Sequence, residues 1–456
     1  MIIAASLSPR RGRGIRIRLW LGALALSTLT ACGGGDELSC DLVPRQSALR
    51  SYFNDWYFWY ALSPYPAPGS LPTLDAYFGA LLYTGTDPAF PADRWSFHQS
   101  TESFNRFFGV GQSVGYGIFV AGLEVAGAPS QPLYVRHVEP LSPAATAGVT
   151  RGDQVVSIDG RTAADMIADD DFTVLSSEAA GQTIRLVLRN NGVQRTVDVS
   201  AAAFPLTPVL PNARVVTSTG GRKMGYVAVK DMISQADAPL ASAFQSFAAQ
   251  GVTELVVDLR YNGGGLVSTG RDIASYVNPA LTSGRTYAAL LYNVKRAAFN
   301  NSSFQFSSPA NALALTRVYV LQGARTCSAS EQVINGLRPF VTVVPIGDTT
   351  CGKPVGFLPT DDGCGETFNV VNFEAVNASD EGRYFDGFAP ACVVAEDFSQ
   401  PIGGDADPLL VTARNHADGI ACPVAAAASP REQTLAAKLR RWGRNPEGER
   451  GTMIPR

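Results

Sequence analysis

The chain has 456 residues, 46% of them apolar, with a formal net charge of −3. This is the composition of an ordinary globular protein, long enough for two or three domains. A weakly acidic chain of this kind excludes nucleic acid as a partner, since phosphate binding needs a basic surface.

The first segment is a basic stretch holding Arg10, Arg11, Arg13, Arg16 and Arg18, followed by an apolar run over residues 19–29. This pattern predicts a bacterial signal peptide over 1–31. Leu29, Thr30, Ala31 and Cys32 match the lipobox, in which the cysteine is lipidated and becomes the first mature residue. Gly33, Gly34 and Gly35 then begin a tether over 32–44, so a membrane is the expected partner through lipid on Cys32. Gly33 stands where an aspartate would resemble an inner-membrane retention signal, which points to the outer membrane, facing the periplasm or the cell surface. Loss of the five arginines takes the net charge from −3 to −8. No later run approaches about 18 uninterrupted apolar residues, so the remainder is expected to be soluble. Of seven cysteines, Cys40, Cys327, Cys351, Cys364, Cys392 and Cys422 remain after Cys32. An even number in an oxidising compartment suggests disulfides, with 15 possible pairings. There is no Cys-x-x-Cys pair and no histidine at ligand spacing, so neither metal nor cofactor is expected.

Residues 45–108 carry Leu49, Tyr52, Phe53, Trp56 and Tyr60 at the spacing of one helix face. A proline-rich break and a second apolar helix near 74–82 complete a predicted small helical cap without chemistry. From Gly109 to residue 204 the pattern changes to short alternating strands, with Asn190-Asn191-Gly192 as a hairpin turn. Gly115, Tyr116, Gly117 and Ile118, together with 142–148, Arg151-Gly152-Asp153 and 158–160, resemble a PDZ domain. The resemblance implies that 115–118 binds a peptide carboxylate while the peptide adds a strand to the sheet edge.

Over 205–423 strands alternate with helices, which indicates an α/β domain. Residues 224–229, 254–259, 317–321 and 341–346 read as buried strands, and Leu240, Ala243, Phe244, Phe247 and Ala248 as one helix face. Three stretches could carry chemistry. The first, 258–265, ends a strand in a glycine-rich turn before a helix from Leu266, and such a turn exposes amides to an anion. The second, 326–331, places Ser328 before an apolar-faced helix. Ser328 and Glu331 also form a capping-box pattern, which puts Ser328 at a helix N-terminus either way. The third, 347–353, brings Lys353 into a loop 25 residues after Ser328. It imitates a phosphate-binding loop, but Pro354 replaces the magnesium-binding hydroxyl. A serine nucleophile needs a base, and His98, His137 and His416 lie in no Ser-His-Asp pattern, so lysine remains. Residues 424–456 read as a tail, helical or disordered.

In that order and behind a PDZ domain, these motifs resemble the carboxyl-terminal processing (tail-specific) serine peptidase family, over roughly 45–420. The resemblance implies a multi-domain α/β fold with a crotonase-like protease core. It also implies Ser328 as nucleophile, Lys353 as base, Glu331 as an orienting group, and an oxyanion hole from the amides of Gly264 and Ala329. Polypeptides, cut near their C-termini and bound by the PDZ domain and the active-site groove, would be the substrates. Many members have glutamine where this chain has Phe357. Cys327 and Cys351 flank the two catalytic positions and form a candidate disulfide between their loops. The alternative expectation is a catalytically silent, peptide-binding scaffold on the same fold.

Overall fold

The computed structural model describes residues 39–177, 179–423 and 452–455. The signal peptide, Cys32 and most of the tether lie outside these residues, as do 424–451. Among the described residues no helix is long and apolar enough to cross a membrane.

The central sheet has the spatial order Arg214–Thr217, Lys223–Ala228, Glu254–Asp258, Arg317–Gln322, Thr342–Gly347, Cys392–Val393, and every neighbouring pair after the first is parallel. Three of its inner strands, Lys223–Ala228, Glu254–Asp258 and Arg317–Gln322, are buried on both faces apart from Lys223 and Arg317, as parallel strands must be when helices cover them. Val257, Val318 and Val320 pack under the helices Asp237–Ala249 and Ala329–Leu337, while Tyr226, Val256, Tyr319 and Leu321 face Pro408–Ala417. The four strands expected from the sequence are all present. Their carboxyl ends converge on the loops 259–263, 323–328 and 348–354, the end of a parallel sheet where ligands bind.

The cap departs from the expectation in two ways. Its first helix, Leu42–Trp56, stops at Tyr57, whose backbone is extended, so Tyr60 lies in a separate short turn of helix beyond the predicted stripe. The tether accordingly ends before Leu42. The cap also contains a strand, Phe97–Ser100, paired antiparallel with Glu366–Asn369 of the core. Its aromatics share one cluster with Val355, Phe357 and Val371, so it is built into the α/β core.

The PDZ-like region holds the sheet Ile118–Val120, Leu133–Val138, Gln154–Ile158, Thr183–Asn190, Val193–Ser200. The predicted hairpin is present: Asn190 pairs with Val193, and Asn191 and Gly192 both take the positive φ that a two-residue turn of this kind requires. Charge pairs fasten this region to the core. Glu139 pairs with Lys230 at 3.0 Å, and Arg325, in the loop before Ser328, pairs with Glu124. Burial pushes the Glu139 carboxyl up, but Lys230 and His137 overcome this and bring it down to about 2.

Between its ordinary 4.5 and that value the unfolded chain binds the proton more strongly, so this contribution is complete above 4.5 and lost as pH falls toward 2. Between pH 5 and pH 3, wild type should lose about 2 kcal/mol more stability than Glu139→Gln. Urea unfolding of both chains at the two pH values measures this, and parallel losses would remove Glu139 from the account.

Candidate active site

Ser328 joins the loop after Arg317–Gln322 to the helix Ala329–Leu337, with φ 61° and ψ −116°. A non-glycine residue in this conformation stores about 1–3 kcal/mol of strain and persists only where its surroundings hold it. The holding group is Glu331, fully buried one turn into the helix. Its carboxylate accepts from the backbone N–H of Ser328, Gly352 and Lys353, each at 2.8 Å, and from the Thr350 hydroxyl at 2.5 Å. One side chain thus knits the serine loop to the lysine loop. Burial pushes the Glu331 carboxyl above its ordinary value, while Thr350 and the three amides pull it back. The disulfide Cys327–Cys351 joins the same two loops, and Cys40–Cys364 and Cys392–Cys422 complete the three pairs among the described residues.

Ser328 is fully buried, and among the described residues its Oγ has no hydrogen-bond partner. Lys353 is also buried, its backbone N–H held by the same Glu331 carboxylate, and its amine lies 3.7 Å from the centre of the Phe357 ring. The residue that departs from the family's glutamine is therefore itself the lysine's neighbour, offering an aromatic face instead of a carbonyl.

The anticipated amide pair is only half available. Ala329 N–H is the first amide of its helix, among those with no intrahelical acceptor. Gly264 is adjacent, since a Cβ placed on it would stand 2.9 Å from Ala329 N. The Gly264 N–H, however, donates to Asn262 Oδ1 at 2.8 Å. Gly264 and Gly265 form a short strand with Leu266, and the helix expected from Leu266 begins at Val267.

Asn262 had no role in the sequence reading, and the structure makes it a hub. Its carbonyl accepts from Cys327 N–H at 3.1 Å and from the Ser330 hydroxyl at 3.0 Å. Its side chain accepts again from Ser330 and donates to Val229 O. The only signal for it was its place in the Asp-Leu-Arg-x-Asn stretch.

Gly115, Tyr116, Gly117 and Ile118 are all buried. Gly117 has φ 72°, and a Cβ there would stand 2.1 Å from that of Ser142, so the turn demands glycine. The histidines lie away from Ser328 in their bonding. His98 contacts Glu366 and Asp75, and His416 meets Tyr319 edge-on. His137 is buried at the PDZ junction, where burial lowers its pKa against the pull of Glu139. Among the described residues two groups have atoms close enough to hold a metal, Cys392 with His416 and Cys422, and Cys327 with Glu331 and Cys351. In each the two sulfurs are joined to one another, which consumes the thiolates a metal would need.

Residues 223–392 match the model of peptidase family S41, and 134–190 match that of a PDZ domain. The chain is 26% identical over 268 residues to a carboxyl-terminal-processing protease of Picosynechococcus sp., covering 58% of this chain and 60% of that protein. It is 27% identical over 270 residues to a chloroplastic C-terminal processing peptidase of Tetradesmus obliquus, covering 56% and 55%. The chain thus spans little more than half the length of these curated relatives. A crystal structure from Bacteroides fragilis, described as that of an S41 protease, superposes with a TM-score of 0.63 at 25% identity, covering 82% of this chain and 97% of that one. The architecture is that of a mixed α/β, multi-domain protein with an S41 protease core and a PDZ domain.

Proposed function

We propose that this chain, an S41-type protease core carrying a PDZ domain, is a serine endopeptidase that hydrolyses polypeptides near their C-termini by a Ser328–Lys353 dyad. The observation that carries the proposal is the Glu331 carboxylate, which holds the strained serine and the lysine loop against one helix N-terminus. Neutral Lys353 takes the Ser328 proton as Oγ attacks the peptide carbonyl. Ala329 N–H supports the oxyanion, joined by Gly264 N–H once a substrate draws it from Asn262. Lys353 then returns the proton to the leaving amine, and water, deprotonated by the same lysine, releases the acid. Apo geometry commonly leaves such hydrogen bonds open until substrate binds.

A fluorophosphonate should label Ser328 in wild type, and a protein with a disordered C-terminus should be cut by wild type and left whole by Ser328→Ala. The engaged Gly264 amide and the unbonded Ser328 hydroxyl favour a second reading, the silent PDZ scaffold. An unlabelled wild type that still binds peptide would select it.

The cell envelope is the proposed location, with lipid on Cys32 as the anchor, a reading supported by the lipobox pattern. Wild type should fractionate with membranes and Cys32→Ser should not. Mass spectrometry finding a mature chain that starts elsewhere would reject the anchor.

A further inference from the structure

The segment Thr452–Ile454, expected to be helical or disordered, is a strand. It runs parallel to Gly264–Leu266, with Gly264 opposite Thr452, Gly265 opposite Met453 and Leu266 opposite Ile454. The Thr452 N–H donates to Gly263 O at 2.8 Å. The far edge of the same short strand is bridged to Met232, so 452–454 takes its remaining edge.

That edge is the one beside the nucleophile. A Cβ on Gly264 would stand 2.1 Å from the Thr452 carbonyl oxygen and 2.9 Å from Ala329 N, so both close on one point. On the other side, a Cβ on Gly356, in the strand Val355–Phe357 just after Lys353, would stand 2.7 Å from the Met453 carbonyl oxygen. The segment therefore threads between the candidate oxyanion turn and the strand following the base. Two of its side chains are buried. Met453 is entirely buried in the main core, and Ile454 enters a pocket of Phe104, Phe108, Ile233 and Leu266.

We infer that residues 452–455 occupy in cis the position of the substrate strand, so that the protease is latent until this segment is displaced. The inference rests on the proposed protease reading for its consequence, though not for the docking itself. An extended peptide adding a strand at this edge gains main-chain hydrogen bonds whatever its sequence, while the flanking pockets choose its side chains. Here the pockets take two successive apolar residues, and the same edge can serve only one strand at a time. An incoming polypeptide with apolar residues at the corresponding positions must compete with Met453 and Ile454.

The test compares the full chain with a chain ending at Gly451 and with the double variant Met453→Asp, Ile454→Asp, which keeps the length. Fluorophosphonate labelling of Ser328 should be at least tenfold faster in both variants. A synthetic peptide of residues 449–456 should slow the shortened chain again, and the same peptide carrying the two aspartates should not. Equal labelling rates in all three chains would overturn the inference. Should no form label, the protease reading fails separately, and fluorescence anisotropy of the labelled peptide on the shortened Ser328→Ala chain decides. Binding abolished by the aspartates upholds cis docking, and no binding overturns it.

Discussion

Lys353→Arg should lower turnover by about 10²–10⁴-fold, the range that a positioned general base contributes, although it preserves the charge. Arginine cannot give up its proton in a protein, so it cannot accept the one from Ser328. Lys353→Ala should be equally inactive. Both variants should remain folded, because the lysine's backbone N–H, which Glu331 binds, survives the substitution. Activity of the wild type should rise with pH along a limb set by the amine, and that limb should vanish in both variants. His98, His137 and His416 variants should retain turnover, since none of their bonds leads to Ser328. Steady-state kinetics on a disordered polypeptide, with circular dichroism as the folding control, provides the measurement. Near-normal turnover in Lys353→Arg would require another base.

Glu331→Ala should damage stability and activity together. The substitution removes one acceptor from four donors, three of them backbone N–H groups in a fully buried site. Leaving buried donors unpaired costs about 1–3 kcal/mol each where no water reaches them, and relaxation would recover part of it. A net loss on the order of 3–5 kcal/mol is expected. Ser328 also loses the contact that holds its positive φ, so turnover should fall even under conditions where the variant is folded. Glu331→Gln is the sharper probe, because its amide would turn two hydrogens toward groups that are themselves donors. Urea unfolding followed by circular dichroism, and turnover well below the transition, separate the two effects. A Glu331→Gln chain with native stability and native turnover would show that the two loops are held by other means.

The contrast between Glu331 and Asn262 indicates what local sequence can reveal. The tie of the Ser328 loop to the Lys353 loop through Glu331 could be sought in the sequence because a capping-box pattern at a helix start and a lysine at a fixed interval each leave a short, contiguous trace. The strands of the parallel core were legible as apolar runs, and the Asn191-Gly192 turn by its backbone demand. Asn262 was not, since its role consists of bonds to Val229, Cys327 and Ser330, which no spacing rule connects. The same holds for the Gly264 N–H: a glycine-rich turn announces available amides, but a side chain two residues earlier takes this one. The strand Phe97–Ser100 and the strand at 452–454 are made by partners 272 and 188 residues away in their first register pairs, Phe97 with Asn369 and Thr452 with Gly264, and composition near either end carries no sign of them. Tyr60 shows the opposite failure, where a periodic stripe outlasts the helix because the chain turns at Tyr57 and buries its ring against Phe53 and Trp59.

The bond between Cys40 and Cys364 spans 324 positions and encloses the cap, the PDZ-like region and the serine itself within one covalent ring. A single nick anywhere inside that ring opens it without releasing either piece. On an electrophoresis gel run without reductant, a chain cut once in the PDZ-like region would keep its full mass and be taken for intact, and only added thiol would separate the two bands.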